Sequence, residues 1–89
     1  MYATNQTVNV TGFYFRGHNQ RAFPSRIEFG NTQYSFNDGL QYLIYKGKQS
    51  IRLFDMTDGR MTYRLRCEND QWSLIWTRPS MQREIYGRQ

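Results

Sequence analysis

Cysteine and proline are scarce in this chain, which has one cysteine and two prolines among 89 residues. A lone cysteine, Cys67, cannot form an intramolecular disulfide, so packing alone must stabilise the fold. A chain of this length buries only about 60% of its surface on folding, which leaves room for one core. We therefore expect a single small domain in a reducing compartment, with the cytoplasm as its default location.

Long hydrophobic runs are also missing. No stretch approaches the roughly 18 apolar residues of a membrane-spanning helix. The first residues, MYATNQ, lack the charged and apolar regions of a secretory signal. We therefore expect a soluble protein with no membrane partner.

Residues suited to catalysis or metal binding are few. The chain has one histidine, His18, and a thiol enzyme would need it in contact with Cys67 and with an orienting third group. A free cysteine usually behaves as a small buried apolar residue. The aspartates Asp38, Asp58 and Asp70 occupy positions where turns or helix starts favour them. We predict no enzymatic activity, no cofactor and no metal site.

Acidic residues are few: the chain has seven of them and twelve basic residues, which gives a net charge of +5. Ten of the twelve are arginine, whose planar fork of donors suits phosphate and carboxylate groups. No acidic residue precedes Glu28, although Arg16, Arg21 and Arg26 all do. This imbalance favours a polyanionic partner.

Aromatic residues are abundant. The fifteen aromatic side chains lie in short runs, and glycine, aspartate and asparagine separate these runs. This pattern predicts strands and turns. The predicted strands are 7–16, 25–29, 32–36, 50–56, 60–67 and 71–78. A bulge at Gly12 would place four apolar side chains of the first strand on one face. These are Val8, Val10, Phe13 and Phe15.

Residues 38–46 show a helical spacing, because Leu40, Leu43 and Ile44 recur at three- and four-residue intervals. Asn37 can cap such a helix and Gly47 suits its end. The predicted fold is therefore mainly β, in the order βββαβββ. It has six antiparallel strands in two three-stranded units joined by one short helix, closed into a small barrel or strongly curled sheet. The domain spans 1–78, and 79–89 form a loose C-terminal extension.

The last three strands predict a meander, because Asp58-Gly59 and Asn69-Asp70 are signals for two-residue turns. Such turns would align Phe54, Tyr63 and Trp76 in one row on an apolar face. The same face would also hold further apolar side chains. These are Met56, Met61, Leu65, Leu74 and Cys67, with Cys67 opposite Trp72.

The surface left outside that packed face suggests two functions. Single-stranded nucleic acid is often held by aromatic rings that stack on bases and arginines that contact phosphates. The candidate residues for this leading function are Tyr14, Arg16, Arg21, Arg26, Arg64 and Arg66. The alternative is a protein-interaction or homo-oligomeric module in which Ile51, Leu53 and Ile75 form the apolar centre of an interface.

Overall fold

The computed structural model describes residues 2–80, with side chains described from residue 5 onward. These residues form eight β-strands and no helix. The strands are β1 (Tyr2–Thr7), β2 (Asn9–Arg16), β3 (Arg21–Phe29), β4 (Thr32–Ser35), β5 (Asp38–Lys46), β6 (Gln49–Thr57), β7 (Met61–Glu68) and β8 (Gln71–Pro79). The prediction of a mainly β protein is confirmed. Within residues 2–80, no helix is long and apolar enough to cross a membrane.

The strands form two antiparallel sheets, a five-stranded sheet in the order β1-β8-β7-β6-β5 and a three-stranded sheet in the order β2-β3-β4. The chain enters the smaller sheet at buried Val8, whose N–H donates to the carbonyl of Trp72 at 3.1 Å. It leaves at Phe36, whose N–H donates to the carbonyl of Ser25 at 2.9 Å. No ladder joins the two sheets within the described residues, so the predicted closed barrel is wrong.

The core lies between the two sheets. Phe54 is fully buried at its centre, with its ring centroid 5.8 Å from that of Phe23 and 5.3 Å from that of Trp72. The buried members of the core are Val8, Phe23, Ile27, Phe36, Phe54, Met56, Tyr63, Leu65, Cys67 and Leu74. The predicted apolar face of the meander supplies six of these ten. The face of the five-stranded sheet that turns away from this core is called the outer face below.

The predicted helix at 38–46 is wrong, because Asp38–Lys46 is strand β5 and pairs with β6 at every residue. Tyrosine and isoleucine in this run favour strands, and pairing with β6 overrides the helical spacing. Gly47, at φ 64°, does not end a helix but opens the tight turn to β6. Gly39 is buried, and a Cβ there would overlap Met56 Sδ.

The predicted two-residue loop at Asp58-Gly59 is also wrong. Thr57 pairs with Thr62, so the loop has four residues. Asp58 Oδ1 accepts the backbone N–H groups of Met61 and Arg60, each at 2.9 Å. The N–H of Met61 contributes most to lowering the pKa of this carboxyl. The longer loop shifts the pairing of β6 with β7 by two residues. Each side chain of β6 therefore stays on its predicted face of the sheet but lies opposite a different residue of β7.

Register shifts also change the row predicted around Phe54. Phe54 lies opposite Leu65 instead of Tyr63. Between Arg64 and Leu65 the pairing with β8 shifts by one residue, which places Trp76 opposite Arg64. An added residue in one strand reverses which side chains share a face. Trp76 therefore lies on the outer face and not in the predicted core row.

The predicted first strand, 7–16, is broken at Val8 and irregular at Gly12. The register shifts on both sides of Gly12, and the second shift cancels the first. Val8 is buried as expected, but Phe13 and Phe15 are exposed. The predicted packing of these two rings with the valines is therefore wrong.

The predicted C-terminal extension, 79–89, begins within β8. Pro79 pairs with Met61, and the N–H of Ser80 donates to the carbonyl of Arg60 at 2.9 Å. From residue 81 onward the predicted extension lies outside the described residues.

Candidate interaction surface

Arg64 is the most constrained of the predicted nucleic-acid contacts. Its guanidinium forms two hydrogen bonds with the carboxylate of Asp55, at 2.6 and 2.7 Å. It also lies over two rings on the outer face, 4.8 Å from the centroid of Trp76 and 5.6 Å from that of Tyr42. The hydrogen bonds that Arg64 donates to Asp55 are the main cause of the raised pKa of Arg64. The ion pair offsets the charge of Arg64 and engages two of the five N–H donors that could otherwise bind phosphate.

Two more of the predicted arginines are paired with carboxylates. Arg66 contacts Glu68, and Arg16 donates to Asp38 Oδ1 at 2.7 Å. Arg16 also lies over the ring of Phe23, 5.5 Å from its centroid. In each case the acidic partner offsets the positive charge that a polyanion would recognise.

Arg21, Arg26 and Tyr14 belong to the smaller sheet. Arg21 is exposed and has no side-chain partner among the described residues, and Arg26 donates to the hydroxyl of Thr11 at 3.3 Å. Tyr14 packs against the core, its ring stacked on Phe23 with centroids 5.5 Å apart. The structure therefore distributes the six predicted contacts over both sheets and does not assemble one basic face with an open aromatic platform.

The residues predicted for a protein interface lie partly together. On the outer face, Ile51 pairs with Ile44 of β5, and Leu53 pairs with Tyr42. Ile75 lies at the register shift in β8. Ile51 and Leu53 thus continue an apolar surface that begins on β5, whereas Ile75 is separated from it by β7.

Among the described residues, strand β5 carries most of the large hydrophobic side chains that are exposed. Seven large hydrophobic residues of the described chain are exposed, and five of them are consecutive or nearly so in β5. These five, called the β5 edge cluster, are Leu40 (62% exposed), Tyr42 (41%), Leu43 (50%), Ile44 (43%) and Tyr45 (73%). Single exposed apolar residues are ordinary, whereas clusters of this kind are typical of surfaces that bind a partner.

β5 is also an edge strand, and it differs from the other three edges. β1 has a register shift between Ala3 and Gln6, β2 has two around Gly12, and β4 is four residues long. Bulges and short strands are the usual means by which proteins prevent edge-to-edge association. β5 has nine residues in unbroken register, and neither proline nor bulge interrupts it.

The backbone of β5 alternates between groups that bond β6 and groups that point away. Lys46 and Gln49 flank the two-residue turn, and such a pair exchanges both hydrogen bonds. The even-numbered residues of β5 therefore bond β6, and Gly39, Gln41, Leu43 and Tyr45 present their N–H and C=O groups at the open edge.

At Gly39 the open edge is capped. Its carbonyl accepts from Arg16 at 3.2 Å, and its N–H donates to Asp38 Oδ1 at 2.8 Å. Gln41, Leu43 and Tyr45 have no such partner among the described residues. Within residues 2–80, three residues of edge backbone are thus open to pairing with an additional strand.

Two cavities adjoin β5. A groove of about 300 Å³ on the inner side is lined by Arg21, Ala22, Gln41, Leu43 and Arg52, with no carboxylate among them. A second cavity, of about 460 Å³, opens on the outer face, where two arginines face two aspartates. These are Arg16, Arg78, Asp38 and Asp55. The groove is therefore basic, whereas the charges of the second cavity balance.

The described residues show no cluster suited to metal binding or thiol chemistry. No group of three or more His, Cys, Asp or Glu side chains among them could hold a metal ion. Cys67 is buried, as predicted, and lies opposite Trp72. Its sulfur lies 3.5 Å from Arg52 Nη2, whereas His18 is exposed in the loop between β2 and β3.

The sequence prediction misses the β5 edge cluster, because a helix at 38–46 would bury one side of these residues. The signal that could have identified it is the run Tyr42-Leu43-Ile44-Tyr45, which is apolar at both parities. Such a pattern is typical of a strand that is covered on both faces.

Comparison with known proteins gives no relative: no protein-family model, no curated protein and no solved structure matches the chain.

Proposed function

We propose that this chain is a small non-catalytic binding module that recruits an extended segment of protein along the open edge of β5. The observation that carries the proposal is the coincidence of the β5 edge cluster with the one long edge strand whose register is unbroken within residues 2–80. In strand addition, backbone hydrogen bonds provide affinity and side-chain contacts provide specificity.

The free groups of Gln41, Leu43 and Tyr45 supply the backbone bonds of this mechanism. Side chains then contact the added strand on both faces of the sheet. On the outer face, Tyr42 and Ile44 form one apolar surface with their cross-strand neighbours, the partly buried Leu53 and the buried Ile51. The incoming strand would cover apolar surface that the fold leaves in water, which is the main driving force for association.

Selection from a displayed library of random peptides of about twelve residues tests this function, because such peptides can pair as strands. We expect enriched apolar, strand-forming sequences whose binding is lost in the variant Leu43→Lys. A lysine on an edge strand opposes pairing. The matched control, Gln33→Lys, places the same charge on the exposed edge strand β4 and should retain binding.

Synthetic versions of the enriched peptides separate strand addition from side-chain contact alone. N-methylation at alternate residues removes backbone donors, and methylation on the bonded side should abolish binding. Peptides that bind wild type and Leu43→Lys equally well would exclude the β5 edge as the binding surface.

Nucleic-acid binding is a second candidate, and the basic groove favours it. Arg21 and Arg52 line the groove without a carboxylate. Lys46 and Lys48 lie at the adjoining β5–β6 turn, and neither forms an ion pair among the described residues. Tyr45, which is exposed and precedes Lys46 in β5, adds a ring on which a base can stack.

A salt titration with single-stranded DNA or RNA tests this second candidate. Three to five phosphate contacts predict that the logarithm of affinity falls with the logarithm of salt at a slope of roughly −2 to −4. The double variant Arg21→Gln with Arg52→Gln should flatten the slope by about one to two. Arg60→Gln, in the loop at the other end of β6, should leave it unchanged. Absence of binding at about 50 mM salt would exclude nucleic acid as a partner.

A further inference from the structure

We propose that the strand added to β5 is β5 of a second copy, antiparallel, with the two-fold axis at Leu43. This inference rests on the proposed function and identifies its partner. The resulting dimer has one continuous ten-stranded sheet, because each copy contributes five strands. A two-fold interface uses the same patch on both copies, so the patch must be complementary to itself.

The free backbone groups of β5 satisfy that requirement. They belong to Gln41, Leu43 and Tyr45, a set symmetric about Leu43. An antiparallel copy centred there pairs Leu43 with its equivalent and Gln41 with Tyr45, so every free N–H and C=O gains a partner. The cap on Gly39 by Arg16 and Asp38 remains undisturbed. Centring the axis on Tyr42 would instead oppose Tyr45 to the capped glycine.

Side chains agree with this register. On the outer face Tyr42 of each copy lies opposite Ile44 of the other, an aromatic ring against a β-branched chain, which is a favourable cross-strand pair. On the inner face the two Leu43 side chains meet. Four members of the β5 edge cluster thus contact the second copy, and the fifth, Leu40, lies diagonal to Ile44 across the junction.

Charge selects the antiparallel orientation. β5 begins at Asp38 and ends at Lys46, with Lys48 in the following turn. The antiparallel arrangement separates Lys46 and Lys48 of one copy from those of the other, whereas Asp38 keeps its ion pair with Arg16. A parallel arrangement would bring like charges together, which is destabilising.

The contact is small, because one edge strand on each side buries less than the roughly 1,600 Å² of a standard protein interface. We therefore expect a reversible dimer with a dissociation constant in the micromolar range. Sedimentation equilibrium of the full chain from about 5 to 500 µM should show a monomer–dimer transition.

Disulfide trapping of the full chain tests the register. Opposed residues in a bonded antiparallel pair have Cα atoms about 5.5 Å apart, within disulfide range. Leu43→Cys should therefore form a covalent dimer under mild oxidation. Tyr45→Cys is the matched control, on the same face and more exposed. The two Tyr45 positions are offset by four residues, about 13 Å along the strands, so this variant should not cross-link as a dimer. The wild-type protein, in which Cys67 is buried, measures any cross-linking that does not depend on the introduced cysteine.

Each outcome decides a different statement. A reversible dimer with cross-linking confined to Leu43→Cys supports the inference. A dimer that cross-links equally through Tyr45→Cys, or not through Leu43→Cys, overturns it. A monomer at the highest concentration that still binds selected peptides through β5 overturns the second copy as partner but keeps the proposed function. A dilute monomer whose Gln41, Leu43 and Tyr45 amides resist hydrogen exchange shows that β5 is covered within one chain, and overturns both.

Discussion

Replacing Phe54 with Ala should lower the free energy of unfolding by about 3–5 kcal/mol, the range for removing a large buried ring. Phe54 is fully buried and contacts Phe23 of the smaller sheet and Trp72 of the larger one. The cavity would open where the two sheets meet, so relaxation of one strand cannot fill it. Urea unfolding monitored by tryptophan fluorescence measures the loss.

Phe15→Ala is the matched control for this prediction. Phe15 is a phenylalanine of β2 that is 62% exposed, so its removal should change the free energy of unfolding by less than about 0.5 kcal/mol. Equal losses for the two variants would mean that the core does not lie between the sheets.

Replacing Arg64 with Ala should cost about 2 kcal/mol, because it leaves the carboxylate of Asp55 without its partner. The side chain of Asp55 is 10% exposed and that of Arg64 is 29% exposed. Removing one member of a fully buried pair costs about 3–5 kcal/mol, and the partial exposure of Arg64 reduces that figure. This expectation differs from the small effect typical of an exposed surface arginine.

A double-mutant cycle isolates the interaction between these two side chains. Asp55→Leu with Arg64→Leu should recover much of the loss seen in either single variant, because no unpaired charge remains. The corresponding cycle at Arg66 and Glu68, a more exposed pair, should give a coupling below about 1 kcal/mol. Equal coupling energies in the two cycles would contradict the special role of the Asp55–Arg64 pair.

The elements predicted correctly were those in which composition and alternation agree. In β6, Phe54 and Met56 alternate with Asp55 and Thr57, and both apolar side chains are buried. The turn at Asn69-Asp70 was also predicted, since both residues adopt positive φ there. Where local signals coincide with tertiary pairing, the sequence is sufficient to assign the strand and its buried face.

The errors arise where two local patterns compete or where register depends on a single residue. Residues 38–46 satisfy both a helical spacing and a strand composition, and only pairing with β6 decides between them. The loop at Asp58 has four residues because Thr57 pairs with Thr62. A shift at Arg64 and Leu65 then moves Trp76 to the other face. Long-range packing determines register shifts of this kind, and the sequence of a turn gives no information about that packing.

The candidate surface was less predictable than the core. Leu53 and Ile51 were expected at an interface, and both adjoin β5. Arg64 was expected to be available to a ligand, but its partner Asp55 lies on the neighbouring strand, nine residues away. Only the register reveals that ion pair. Arg21, in contrast, is exposed without a partner among the described residues.

The register shift between Arg64 and Leu65 also gives the molecule two separate optical reporters. Trp72 lies against Phe54 on the core side. On the other side, the guanidinium groups of Arg64 and Arg78 lie 4.8 and 4.5 Å from the ring centroid of Trp76. Emission from Trp72 therefore follows the integrity of the core, whereas emission from Trp76 follows events at the solvent side of the same strand. Replacing either indole with phenylalanine would leave a single-tryptophan protein that reports one environment without interference from the other.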